Sequence, residues 1–290
     1  MKAAVLDRFL EAGVFSPLDR HFARFIQRIA DAPDPSAVLA AALVSRIQRD
    51  GHICADLSEW AGRSLDIDSK TGMDLPACPG LNEWLKSLQA CSAVGRPGEY
   101  APLILDSADR LYLHRYWEYQ DRLATLIRRR VCTEPPEVDR DMLRKGLKRL
   151  FPKTHESEID WQQVAAYTAV THRFCVISGG PGTGKTTTVA RILALLLEQA
   201  GNRRLRIALA APTGKAAARL QAAIQGQQNT DTIEPAILVK PELPGEMDLK
   251  ASTIHRLLGV IHDSPFFRHH ADNPLPVDAV VVDEASMVDL

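Results

Sequence analysis

The chain has 290 residues, of which 46% are hydrophobic and 24% are charged, and this composition is typical of a folded globular protein. It excludes a disordered, collagen-like or coiled-coil chain. The 35 Lys and Arg residues stand against 36 Asp and Glu residues, so any binding of nucleic acid must come from a local basic surface rather than from the net charge of -1.

Cysteine usage and hydropathy indicate the compartment. The 5 cysteines are scattered, odd in number and without a CxxC pair, so they predict neither a disulfide framework nor a zinc site. We therefore expect reduced thiols and a cytoplasmic protein. The longest aliphatic run, residues 192–197, is far shorter than the roughly 20 residues that span a bilayer, so neither a signal peptide nor a membrane partner is expected.

The first hundred residues are predicted to be mainly helical. Ser16 before Pro17 and Asp34 before Pro35 are typical helix starts, because an N-cap side chain precedes a residue that needs no N–H there. Apolar residues at helical spacing predict that the second of these helices fills residues 35–49.

No catalytic constellation occurs in residues 1–100. We therefore expect this region to be a domain that docks onto a partner protein. Trp60 and Trp84 are candidate docking aromatics, and packing of both into the core is the alternative.

Residues 101–154 are predicted to connect this domain to the next. Two short apolar runs, 103–105 and 111–113, flank turn-forming residues and predict a β-hairpin. A helix is expected to follow and to end in three arginines. These could contact a phosphate backbone, although the helix dipole favours cations at that position without any role in DNA binding.

From residue 155 to residue 290, predicted helices and strands alternate. Apolar runs predict strands at 174–178, 205–210 and 279–282, with helices between them, and residues 226–250 are predicted to be an exposed connection. This alternation is typical of a parallel sheet covered by helices, so the predicted fold class is α/β.

The strongest motif in the chain is a complete G-x-x-x-x-G-K-[ST] sequence between a predicted strand and a predicted helix. It consists of Gly179, Gly180, Pro181, Gly182, Thr183, Gly184, Lys185 and Thr186. Its glycines allow backbone N–H groups to converge on a phosphate, Lys185 can reach the β and γ phosphates of ATP, and Thr186 can bind Mg²⁺. Thr187 is a further candidate contact, although an unliganded residue at the helix start explains it equally well.

An acidic pair follows the last predicted strand. Asp283 and Glu284 come directly after three valines, at the position where a P-loop protein needs a carboxylate for its metal and a group to orient the attacking water. We assign the first role to Asp283 and the second to Glu284.

Two further motifs place hydroxyl and cationic groups at helix starts. Thr213 and Lys215 follow the second predicted strand, and Thr253 and His255 precede another short helix. Such groups suit the phosphates of a DNA strand, so these four residues are candidate DNA contacts. Simple helix capping is the alternative for the hydroxyls.

The four motifs, in the order P-loop, APTGKAA, STIHRLLG and VVVDEASM, resemble the first motor domain of the superfamily 1 DNA helicases, and in particular the RecD family of exodeoxyribonuclease V alpha subunits. The resemblance covers the whole chain. It implies a RecA-like motor domain over residues 155–290 and places Gln162 where the family has a glutamine that contacts adenine. It also implies 5′ to 3′ translocation on single-stranded DNA, partnership with RecB and RecC, and a role in double-strand break repair and recombination.

The family's later motifs lie beyond Leu290, so we expect the sequence to be a fragment with very weak hydrolysis on its own. A different class remains open, in which the P-loop belongs to a regulatory or architectural module that binds nucleotide without translocation. A small-molecule kinase would leave the loops at 212–215 and 252–255 without a role.

Overall fold

The computed structural model describes residues 3–31, 33–65, 75–152, 159–227 and 250–288. The chain divides into two compact units after residue 126. The predicted connection at 226–250 lies almost entirely outside the described residues. Within the described residues, every helix is too short or too polar to cross a membrane.

The first unit packs helices around a small sheet. Its helices are α1 (Ala3–Glu11), α2 (Pro17–Ile29), α3 (Pro35–Arg49), α4 (Leu57–Trp60), α5 (Leu81–Gln89) and α6 (His114–Cys132), the last of which ends in the second unit. Its strands are β1 (Cys54–Asp56), β2 (Val94–Gly95), β3 (Leu103–Leu105) and β4 (Arg110–Leu113), in the spatial order β1-β4-β3-β2. The predicted hairpin is the antiparallel pair of β3 and β4.

The predicted starts of α2 and α3 are confirmed, and each has a side-chain cap. The Ser16 hydroxyl accepts a hydrogen bond from the Asp19 N–H, and the Asp19 carboxylate accepts one from the Ser16 N–H at 2.8 Å. The Asp34 carboxylate accepts from the Ser36 N–H. These bonds satisfy N–H groups that the helix itself leaves without partners.

Trp84 is a core residue of the first unit. Its side chain is 0% exposed, and its Nε1–H donates to the Ser36 carbonyl at 2.9 Å. Trp60 packs against the same core. The proposal that Trp84 docks onto a partner is therefore wrong, because a docking aromatic must be accessible, and core packing was the correct alternative. Leu103 and Leu111 also lie in this core, which therefore extends across residue 100.

The second unit contains a parallel sheet beside helices. Its helices are α7 (Arg140–Leu150), α8 (Trp161–Thr171), α9 (Lys185–Ala200), α10 (Gly214–Gln227) and α11 (Ile254–Leu258). Its strands are β5 (Ile207–Ala211), β6 (Ala251–Thr253) and β7 (Ala279–Val282), in the order β6-β5-β7. Both neighbours pair with β5 in parallel, which agrees with the predicted α/β class.

The strand predicted at residues 174–178 is not present. These residues have no assigned secondary structure, and Val176 is 75% exposed. An apolar run becomes a strand only where its backbone finds a hydrogen-bonding partner, and a run of this length does not specify one. The P-loop therefore follows a segment without regular secondary structure rather than a sheet strand.

Apolar contacts fix the P-loop helix α9 against the sheet and its flanking helices. Leu193 packs with Leu209 of β5 and Leu220 of α10. On another side, Leu195 packs with Phe151 and with Val170 of α8. The helix that begins with the P-loop lysine is thus held between two hydrophobic clusters.

We expect Trp84→Ala to lower the free energy of unfolding by about 3 to 5 kcal/mol, because it removes a fully buried indole and leaves the Ser36 carbonyl without its donor. Urea denaturation followed by circular dichroism measures this change. Tyr100→Ala is the matched control, since Tyr100 is 97% exposed and its loss should change stability by no more than about 0.5 kcal/mol. Equal effects of the two changes would contradict the assignment of Trp84 to the core.

Candidate functional site

The P-loop is a tight turn that depends on glycine. Gly182 and Gly184 both have φ of +75°, a left-handed conformation that costs other residues about 1 to 2 kcal/mol. Gly184 is the N-cap of α9, and its carbonyl accepts from the Thr188 N–H at 2.9 Å. Pro181 and Gly182 form the exposed tip of the turn.

Lys185 folds back over the loop that precedes it. Its Nζ donates to the carbonyl oxygens of Gly179 at 2.6 Å and Gly180 at 2.7 Å. The Thr183 hydroxyl also donates to the Gly180 carbonyl, at 2.9 Å. The ammonium group therefore lies within the turn, where it can exchange these neutral carbonyls for the charged oxygens of a phosphate, which bind an ammonium more strongly.

The first turn of α9 holds the remaining P-loop hydroxyls. Thr186 and Thr187 are half-buried there. Thr188 is buried, and its hydroxyl donates to the Gly184 carbonyl at 3.0 Å. Thr186 is thus placed at the positive end of the helix dipole.

Gln162 reaches the P-loop from α8. The Asp160 carboxylate caps this helix by accepting from the Gln162 and Gln163 N–H groups. The Gln162 Nε2 then donates to the Thr183 carbonyl at 3.0 Å. A Cβ added to Gly184 would lie 2.7 Å from this Nε2, so the amide sits directly against the turn.

Asp283 and Glu284 form a second group, at the end of β7. The Asp283 N–H donates to the Ala210 carbonyl at 2.9 Å, which fixes the first residue after the strand. Glu284 has φ of +52°, which is uncommon for a residue other than glycine, and its N–H donates to the Asp283 carboxylate at 3.0 Å. Residues other than glycine in this conformation cluster at active sites and ligand-binding loops.

An ion pair at the opposite end of the strands helps to hold β7 beside β5. The Asp278 carboxylate accepts from the Arg206 backbone N–H at 2.9 Å and from its Nε at 3.2 Å. These hydrogen bonds hold the pKa of Asp278 below its ordinary value. The start of β7 is thereby fixed in the register that places Asp283.

The parallel register brings three motifs to one edge of the sheet. Ala210 pairs with Val282, and Ala211 pairs with Thr253. The residues that follow β5, β6 and β7 therefore emerge at the same edge, the carboxyl ends of the strands, where parallel sheets bind their ligands.

At this edge, the two threonine hydroxyls cap helices. The Thr213 hydroxyl accepts from the Ala216 N–H and the Thr253 hydroxyl from the Arg256 N–H, each at 3.2 Å. Lys215 is exposed, and the exposed His255 ring packs edge-on against Phe267 with centroids 5.6 Å apart. Both threonine hydroxyls thus act as helix caps, as the alternative interpretation expected. A role in DNA binding for Thr213, Lys215, Thr253 and His255 stays a prediction.

The donor chemistry suits the predicted metal. Thr186 and Asp283 offer hydroxyl and carboxylate oxygens, the hard ligands that Mg²⁺ prefers. In the described ranges, no three His, Cys, Asp or Glu side chains come together as a metal site. In P-loop NTPases, Mg²⁺ is held by one hydroxyl and one carboxylate of the protein, and waters and nucleotide phosphates complete its shell.

Arg191 of α9 is a residue that sequence reasoning missed. Its Nη1 donates to the Gln162 Oε1 at 3.3 Å, and its guanidinium lies 4.8 Å from the centre of the Phe151 ring. No motif marks this position, because the contact joins the start of α8 to the middle of α9, far apart in the sequence.

Comparison with known proteins agrees with this arrangement. Residues 162–290 match the family described as AAA domain, and residues 11–112 match the family described as RecBCD enzyme subunit RecD, N-terminal domain. The RecBCD enzyme subunit RecD of Mycolicibacterium smegmatis is 42% identical over 99% of this chain and 47% of its own length. The RecBCD enzyme subunit RecD of Haemophilus influenzae is 33% identical, also over 99% of this chain and 47% of its own length. The ATP-dependent RecD2 DNA helicase of Deinococcus radiodurans is 35% identical over 62% of this chain and 20% of its own length.

The chain thus carries a nucleotide-binding AAA domain of the P-loop class behind a mainly helical N-terminal region, and the predicted fold class is confirmed. Its two matched domains and its similarity to RecD subunits along nearly the whole chain confirm the resemblance to the RecD family. The chain spans about half the length of the curated RecD relatives that it matches.

We expect Gly184→Ala to lower the free energy of unfolding by about 1 to 2 kcal/mol, because alanine resists positive φ, and to displace the Gln162 amide from the turn. Gly214→Ala is the matched control, since Gly214 opens α10 with negative φ and nothing within 4 Å of an added Cβ. Chemical denaturation of both variants measures the difference. A larger loss in Gly214→Ala would contradict the geometry of the turn.

Proposed function

We propose that this protein is the ATP-dependent motor subunit of a RecBCD-type exonuclease, which translocates 5′ to 3′ on single-stranded DNA during double-strand break repair and recombination. The single observation that carries the proposal is the parallel sheet edge of the second unit. There, the acidic pair of a P-loop ATPase and two helix starts with polar side chains follow adjacent strands.

The nucleotide site is proposed from the P-loop group. Lys185 exchanges its two carbonyl contacts for the β and γ phosphates of ATP. The backbone N–H groups from Gly182 to Thr187 surround those phosphates at the start of α9. Gln162, held against the turn by its bond to Thr183, contacts the adenine base. Lys185 and Gln162 both contact the P-loop turn already in the absence of nucleotide.

Hydrolysis requires a metal site and an oriented water. Thr186 and Asp283 would hold Mg²⁺, which supplies positive charge at the β and γ phosphates. Glu284, exposed and projecting from a strained backbone, accepts a hydrogen bond from the attacking water and orients it.

The DNA site is proposed from the other two strand ends. Lys215 supplies an exposed cation, and Thr213, Thr253 and His255 stand at the starts of α10 and α11. Hydroxyl and N–H groups at helix starts suit phosphates rather than base edges, so the predicted contacts fix position without reading sequence.

A second candidate is a nucleotide-binding regulatory or architectural module that does not translocate. The observation that favours it is the capping role of Thr213 and Thr253, which occupies both hydroxyls within the protein. DNA-stimulated ATP hydrolysis separates the two, because only a motor couples the DNA site to the P-loop.

The partners RecB and RecC are proposed from the relatives, which are RecD subunits of the RecBCD enzyme. The first unit is the proposed docking region, since residues 11–112 match the RecD N-terminal domain and contain none of the nucleotide motifs. Residues other than Trp84 must form its docking surface.

In the full-length subunit, we expect Lys185→Ala to abolish ATP binding and DNA-stimulated hydrolysis, because no other P-loop side chain supplies a cation to the phosphates. Fluorescent ATP titration and a phosphate-release assay measure the two effects. Lys215→Ala, the matched lysine at the start of α10, should retain ATP affinity. Near-normal turnover in Lys185→Ala would refute the assignment of the P-loop.

We expect Lys215→Ala to weaken binding of single-stranded DNA about equally for all sequences. It should reduce the slope of log affinity against log salt by about 0.7, the value for one phosphate contact on a single strand. Salt titration of mixed-sequence and homopolymer strands measures both quantities.

Thr253→Ser serves as a control for the cap in the same DNA assay, because serine retains the hydroxyl that accepts from the Arg256 N–H. It should bind DNA with the unchanged salt slope. A Lys215→Ala effect confined to one base composition would contradict a backbone contact.

A further inference from the structure

The Gln162 carboxamide is held from two sides. Its Nε2 donates to the Thr183 carbonyl of the P-loop at 3.0 Å, and its Oε1 accepts from the Arg191 Nη1 at 3.3 Å. Because a carbonyl oxygen can only accept and a guanidinium can only donate, neither bond survives a 180° rotation of the amide. The two contacts therefore fix which end of the amide carries the oxygen.

Arg191 is itself held in place. Its guanidinium lies 4.8 Å from the centre of the buried Phe151 ring, which packs against it. Burial lowers the pKa of Arg191 and the charge of Asp160 opposes this shift, but an arginine remains protonated at neutral pH. The bond to Gln162 is therefore a charged donor directed at the amide oxygen from a fixed position.

The two contacts leave half of the amide unused. A carboxamide has two N–H donors and two acceptor lone pairs, and the bonds to Thr183 and Arg191 use one of each. One N–H and one lone pair remain. Adenine presents an N7 acceptor beside an N6 donor, which this remaining pair complements, whereas guanine presents two acceptors, N7 and O6.

We propose that Arg191 is a positioning residue for base selection, which holds the Gln162 amide in the orientation that binds adenine and opposes guanine. The inference rests on the proposed nucleotide site and goes beyond it, because it assigns the choice of base to a residue outside the P-loop. Without the guanidinium, the amide can rotate so that its N–H groups face O6 of guanine.

The test compares binding of fluorescent ADP and GDP analogues to the full chain. Arg191→Met retains much of the length of the side chain and removes its donor. It should lower the preference for ADP over GDP by about fivefold, the change produced by losing one hydrogen bond of about 1 kcal/mol. Arg191→Lys, which can still donate to Oε1, should recover most of the preference.

Three further variants separate positioning from packing. Gln162→Ala should lower the same preference, and adding Arg191→Met to it should cause no further change. Arg191→Gln, which can both donate and accept, should lower the preference even if Arg191→Met fails to fold. Arg149→Met should leave the preference unchanged, since Arg149 pairs with Glu198 of α9.

The outcomes distinguish the inference from the proposed function. If Arg191→Met weakens ADP and GDP equally while Gln162→Ala lowers the preference, Arg191 has only a structural role and the inference is overturned, although the nucleotide site stands. If the wild-type chain binds neither analogue, both the inference and the proposed nucleotide site are overturned. A preference lost in Arg191→Met and recovered in Arg191→Lys supports the inference.

Discussion

The parallel pairing of β5 with both of its neighbours is the constraint on which the proposed site depends. Parallel strands start at one edge of a sheet and end at the other, so the residues that follow β5, β6 and β7 must emerge together. The register then fixes where each strand ends, because Ala210 pairs with Val282 and Ala211 pairs with Thr253. A shift of one residue in β7 would turn Asp283 to the other face of the sheet.

The P-loop is organised by backbone conformation rather than by packing. Two left-handed glycines close the turn, and the carbonyls of Gly179 and Gly180 hold the Lys185 ammonium. Gln162 and Arg191 extend this arrangement away from the phosphates. A chain of hydrogen bonds thus runs from the P-loop carbonyl of Thr183 through the Gln162 amide to the guanidinium that lies over Phe151.

The two units differ in the size of their hydrophobic cores and in where their sequence motifs lie. The first is held by a buried core that includes Trp84, and its match to the RecD N-terminal domain is independent of the nucleotide motifs. The second has smaller hydrophobic clusters around α9, and its functional groups stand at helix starts and strand ends.

Local sequence determined those features that depend on neighbouring residues. The N-cap and proline pairs set the starts of α2 and α3, and the valine run set β7, because caps and short-range patterns act within a few residues. The motif order also indicated the RecD family. Contacts between distant segments were decided only by the tertiary structure. In the folded chain, residues 174–178 have no strand partner, Trp84 is buried, and Arg191 of α9 contacts Gln162 of α8. Each of these outcomes depends on which residues from distant parts of the sequence come into contact. The spacing of residues along the chain does not encode such contacts.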